Sequence, residues 1–137
     1  MTALRTVGLV GLLVAAVAGA AEQARLENVK TEWQNAYGAI VYTVLADVKN
    51  VSNGPIQYVK VKVELLNKNG KVVAEREGYN VGAEVLEGEP GAAPAKDALK
   101  KVKPIPAGGT DHVRLSFDKE EIRKPFRTTD VVIVEAH

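Results

Sequence analysis

The side chains able to do chemistry in this 137-residue chain are few and widely spaced. Nucleophilic catalysis of the Ser-His-Asp kind needs a hydroxyl, an imidazole and a carboxylate converging in space. The chain offers two serines, Ser52 and Ser116, and two histidines, His112 and His137. Neither serine stands in a Gly-x-Ser-x-Gly setting, and a polar side chain turned to solvent accounts for both. Asp111 beside His112, with His137 as a third group, is the smallest set that could ligate a metal. Zinc ligands come paired at defined spacing, however, and no such pair exists here. Glu84, Glu87 and Glu89 alternate without the Asp/Asn ladder of a calcium loop, and solvation accounts for them. No two carboxylates are fixed at the separation that glycoside cleavage requires. With no cysteine there is no thiolate site, no disulfide and no lipid-modified thiol. The reading is of a protein that is not an enzyme and carries no metal and no cofactor.

Two groups of residues suit binding better than catalysis. Lys96, Lys100, Lys101 and Lys103 form a local basic cluster. On a short helix Lys96 and Lys100 stack at i and i+4, leaving Leu99 and Val102 to lie against the body of the protein. Such a face would meet an acidic partner or an anionic envelope polymer, although charge runs usually serve solvation alone. Trp33, Tyr58 and Tyr79 would make an aromatic platform for a glycan or another small ligand if they share one exposed face. Asn50-Val51-Ser52 also matches a glycosylation acceptor, and turn capping explains the same residues.

The elements that must position these groups are read from composition and pattern. Hydrophobic residues make up 46% of the chain and charged residues 26%, ordinary for one domain with one core. Aromatics are 5%, so Val, Leu, Ile and Ala must fill that core, as suits sheet. A net charge of +1 gives no reason to expect nucleic acid as a partner. The first residues read as a secretory signal peptide over 1–20: Arg5 precedes an almost wholly apolar run from Val7 to Val17, followed by Ala18-Gly19-Ala20 and a cleavage point between Ala20 and Ala21. The run is shorter than the about 20 apolar residues of a spanning helix; an uncleaved leader anchoring the protein in the inner membrane is the alternative. Cleavage removes Arg5 and with it the surplus positive charge, leaving a neutral domain over 21–137 with no membrane span.

Arg25 to Trp33 is expected as a strand. Ala39 to Val48 carries Ile40, Tyr42, Val44, Ala46 and Val48 on one parity and reads as an inner strand. Asn50 to Pro55 stops it with turn chemistry. Val59, Val61, Val63 and Leu65 then point one way and Tyr58, Lys60, Lys62 and Glu64 the other. Asn69-Gly70 marks a hairpin with Lys71 to Val81 returning. Residues 82–109 form a long, Gly- and Pro-rich connection, with a helical turn or two at Lys96 to Lys103, and such connections are functional or mobile. Thr110 to Phe117 and Thr129 to Ala136 are further strands, with a short helical turn at Asp118 to Arg123 between them. The expectation is all-β: an immunoglobulin-like antiparallel β-sandwich of five to seven strands.

The run Ala46-Asp47-Val48-Lys49-Asn50-Val51-Ser52, then Ile56 to Val61, then Leu65-Leu66-Asn67-Lys68-Asn69-Gly70-Lys71-Val72-Val73, resembles the FxLYD domain of bacterial and archaeal envelope proteins. That family pairs a G-x-V-x-N-x-S strand with a hairpin of the form L-Y-D-x-x-G-x-V. Ile105-Pro106-Ala107-Gly108-Gly109-Thr110 is similar to its Pro-Gly step before the last strands. Val63 stands where the family has Phe, Leu66 where it has Tyr, Asn67 where it has Asp, and Ala46 where it often has Gly. The resemblance implies an immunoglobulin-like module and brings no catalytic residue. The expected function is a non-catalytic, periplasmic or secreted module that binds an envelope or secreted protein or serves a structural role there.

Overall fold

The computed structural model describes residues 4–5, 11–87 and 96–137. Two sheets face each other across one core, giving an all-β sandwich. The first contains β1 (Leu4–Arg5), β2 (Gly11–Ala16), β5 (Val59–Leu66), β6 (Val72–Tyr79) and β8 (Thr128–Ala136), in the order β1-β2-β8-β5-β6. The second is β3 (Ala24–Ala36), β4 (Ala39–Asn50) and β7 (Thr110–Asp118), in the order β3-β4-β7. Short helices α1 (Ala18–Ala21) and α2 (Lys96–Leu99) and single 3-10 segments at Val81–Leu86 and Lys119–Glu121 fill the connections.

Alternation explains why these residues make these sheets. Val59, Val61, Val63 and Leu65 are each 0% exposed, as are Val131 and Ile133 on neighbouring β8. Tyr42, Val44, Ala46 and Val48 of β4 and Val113, Leu115 and Phe117 of β7 meet them from the other sheet. Each such aliphatic side chain contributes about 1.5–3 kcal/mol over leaving it in water. The hairpin after β5 closes as its sequence demands: Gly70 has φ 79°, and the Asn67 Oδ1 accepts from the backbone N–H of Asn69 and Lys71.

Asn50 is wholly buried and fully used. Its Nδ2 donates to the carbonyls of Gly54 (2.8 Å) and Ile105 (2.9 Å), while its Oδ1 accepts from the N–H and hydroxyl of Ser52. The amide therefore ties the end of β4 to the segment before β7. The glycosylation match at Asn50-Val51-Ser52 is a buried brace, with its nitrogen committed to two carbonyls.

The expected antiparallel pattern holds for every pairing among β3 to β8. It needs one correction, because β2 lies parallel to β8, with Gly11 opposite Thr128 and Ala16 opposite Ile133. Leu12, Val14 and Ala16 pack on the core, and Ala20 and Ala24 belong to it at 4% and 1% exposure. Half of the apolar run expected to be a leader is thus built into the sandwich, while Val7 to Val10 lies outside the described residues. Among the described residues no helix is long and apolar enough to cross a membrane.

Candidate functional site

The strand pattern disperses the groups suited to catalysis. Asp111 and His112 are neighbours on β7 and therefore face opposite ways. The Asp111 Oδ2 accepts from the Asn80 Nδ2 (2.7 Å) and the Gly82 N–H (2.8 Å), anchoring the turn after β6. A Cβ on Gly82 would come within 2.7 Å of the Lys103 carbonyl, so the close approach of these two segments requires glycine. His112 lies on the outer face of the second sheet, its Nδ1 2.9 Å from the Asp47 Oδ1. The Asn28 Nδ2 donates to the other oxygen of Asp47 at 2.8 Å, from the β3 bulge where Asn28 takes φ 52°. These two hydrogen bonds, Asn28 first, hold the Asp47 carboxyl below its ordinary range. His137 instead stacks on Tyr58 with ring centroids 5.1 Å apart. Ser116 shares a hydrogen bond with Thr43 at 3.0 Å, and Ser52 serves Asn50. Among the described residues no group of three His, Cys, Asp or Glu side chains could hold a metal ion.

The aromatic platform expected of Trp33, Tyr58 and Tyr79 is not assembled. Tyr58 and Tyr79 are 6% and 7% exposed and meet edge to face at 5.5 Å. They form a second, smaller core with Ala83, Leu86 and Val102, covered by Ala98 and Leu99. Both rings are spent on holding the long connection against the outer face of the first sheet. Trp33 packs elsewhere, 5.1 Å from Tyr42 and 6.4 Å from Phe126.

The basic cluster is placed as its spacing indicated. Lys96, Lys100, Lys101 and Lys103 are all exposed, with the Lys100 Nζ 3.8 Å from Asp97. Leu99 and Val102 turn inward beneath them. The connection is accordingly a packed flap at Val81–Leu86 and at Lys96 to Ile105. Glu84 and Glu87 are exposed on it, and Glu89 lies outside the described residues.

One surface was not singled out by sequence. The β3–β4 hairpin turns on Tyr37 and Gly38, both with positive φ, between the paired Ala36 and Ala39. Cross-strand partners share a face, so Trp33 opposite Tyr42 and Asn35 opposite Ile40 continue the inner face of the sheet. Tyr42 is 2% exposed and bonds Thr129 across the sandwich at 2.7 Å, whereas Trp33 is 49% exposed and Ile40 45%. The hairpin therefore overhangs the first sheet, and its core-type face runs on into solvent as a ledge. Tyr37 stands fully exposed at its tip. The sequence signal was an apolar parity at Trp33 and Ile40 continuing beyond the span that the facing sheet covers.

Comparison with family models, with curated proteins and with solved structures found no match.

Proposed function

We propose that this protein is an exported, non-catalytic interaction module of the cell envelope, acting in the periplasm or after secretion, with its leader removed ahead of Ala21. In this reading the sandwich is the immunoglobulin-like scaffold that the FxLYD resemblance implies. The observation that carries it is the overhanging β3–β4 hairpin. Trp33 and Ile40 expose large apolar side chains on the core-type face of a two-stranded ribbon, and Tyr37 is exposed at its tip. Tyr37 does so from a backbone conformation costly for a residue with a Cβ, and strain of that kind is retained where a surface has a task. Aromatic anchors on a rigid element are what a partner protein buries at the centre of an interface. Glycan binding through Trp33, Tyr58 and Tyr79 has lost its platform, since two of the three rings are interior.

A photo-reactive phenylalanine analogue placed at position 37 in the exported protein tests this. The expected result is a discrete protein adduct in the envelope fraction, absent when the same analogue replaces exposed Lys68 on the β5–β6 hairpin. An adduct with polysaccharide would favour the ligand reading instead, and no adduct above that control would remove the hairpin from consideration.

A further inference from the structure

We infer that the free edge of β8, from Thr128 to Ile133, is an acceptor for an extended segment of a partner protein that enters parallel to β8 with aliphatic residues at alternate positions and a basic residue between the first two of them. The inference rests on removal of the leader, as proposed above, because in the uncleaved chain β2 fills this edge. The geometry is read from β2 itself. Its ladder runs from Gly11 opposite Thr128 to Ala16 opposite Ile133, closed by the Gly11 N–H on the Arg127 carbonyl (2.6 Å) and the Val17 N–H on the Ile133 carbonyl (3.0 Å). Leu12, Val14 and Ala16, partly buried, pack against the core beside Thr129, Val131 and Ile133, so the sites taper from large to small along the strand. Cleavage after Ala20 takes that strand away and leaves a row of backbone donors and acceptors above an apolar slot. Strand addition uses those two features, main-chain bonds for affinity and alternate side-chain sites for selectivity.

The leader is an imperfect occupant, and its imperfection states the partner's charge. Leu13 stands opposite Asp130, whose Oδ1 is buried and has no hydrogen-bond partner among the described residues. On its other side Asp130 pairs in register with Glu64, a second carboxylate. Lys62 lies 3.8 Å from Glu64 and 3.6 Å from Glu75. An aliphatic residue at the Leu13 position leaves the Asp130 oxygen dry and unpaired, a costly arrangement. A lysine or arginine there supplies the missing donor and an opposite charge.

The test uses the protein purified after export, with its N-terminus read by mass spectrometry. An intact leader in the exported protein would overturn the proposed cleavage and this inference together. With Ala21 at the N-terminus, three peptides are titrated against the 15N-labelled protein: a copy of residues 8–18, its Leu13→Lys variant, and a variant carrying Leu12→Asp with Val14→Asp. Amide shifts concentrated in Thr128 to Val134 are expected with the first two, the Leu13→Lys peptide binding about tenfold more tightly, and none with the third. If the mature chain is loosely folded, the binding peptides are expected to restore its dispersed spectrum. Equal binding of all three peptides, shifts centred elsewhere, or no response would sink the acceptor while leaving the export reading intact. Equal affinity of the first two would remove the basic partner residue.

Discussion

Tyr37 and Asp130 are the residues whose local arrangement costs the fold most visibly. The turn at Tyr37-Gly38 demands positive φ at both positions, a demand that Asn meets better than Tyr. Tyr37→Asn is therefore expected to stabilise the protein by about 1 kcal/mol in chemical denaturation, while abolishing partner capture by the hairpin. A variant equally stable and equally active in capture would deny the strain any purpose. Asp130 is held above the ordinary carboxyl value of 3.8 by burial first and by Glu64 second. The folded chain then grips this proton more tightly than the unfolded chain does. Its contribution favours the fold in acid and is lost as pH rises from 3.8 through the folded-state value. In the chain that retains Gly11 to Ala16, Asp130→Asn should raise Tm at pH 7, and the gain should vanish well below pH 3.8. Asp130 was invisible in the sequence because its cross-strand neighbours, Leu13 and Glu64, lie far away along the chain, and Tyr37 because a tyrosine does not announce the positive φ it takes.

At the scale of elements, the strands were legible, and of the long connection only the helical turn that begins at Lys96 was. Val59, Val61, Val63 and Leu65 announce a half-buried strand by parity alone, and Asn67 to Gly70 announce the turn that follows. Nothing comparable marks Val81–Leu86, because its buried residues, Ala83 and Leu86, repeat at a spacing of three only once, too short a run to read as a period. Its hold on the sheet came from Leu86, Ala83 and Val102 meeting Tyr58 and Tyr79. Reading those two rings as a ligand platform mistook a small core for a surface. Leu86→Ala should accordingly cost about 2–5 kcal/mol in a denaturant titration. Replacing Lys96, Lys100, Lys101 and Lys103 one at a time by Ala should each stay within about 0.5 kcal/mol. A cost for the lysines matching that for Leu86 would show that the flap is held by charge.

For the whole molecule, sandwich class and antiparallel pairing followed from strand count, turn spacing and the absence of strand-helix-strand spacing. The parallel placement of β2 did not follow, since an apolar run ahead of a small-residue site reads the same whether it leaves the chain or joins a sheet. What decides its partner is β8, made long after it. Residues 11–16 thus wait for most of their pairing: β1 meets only Gly11 and Leu12, and the full ladder forms once Thr128 to Ile133 has been synthesised. At about 5–20 residues per second that interval is on the order of 6–25 s. On the export reading proposed above, the apolar run is open to an export apparatus throughout that interval; in the folded chain Ala20, at the proposed cleavage point, is 4% exposed and closed to a peptidase. On that reading the order of strands in the sheet acts as a clock, setting how long the molecule can still be sent elsewhere before its own tertiary structure withdraws the address.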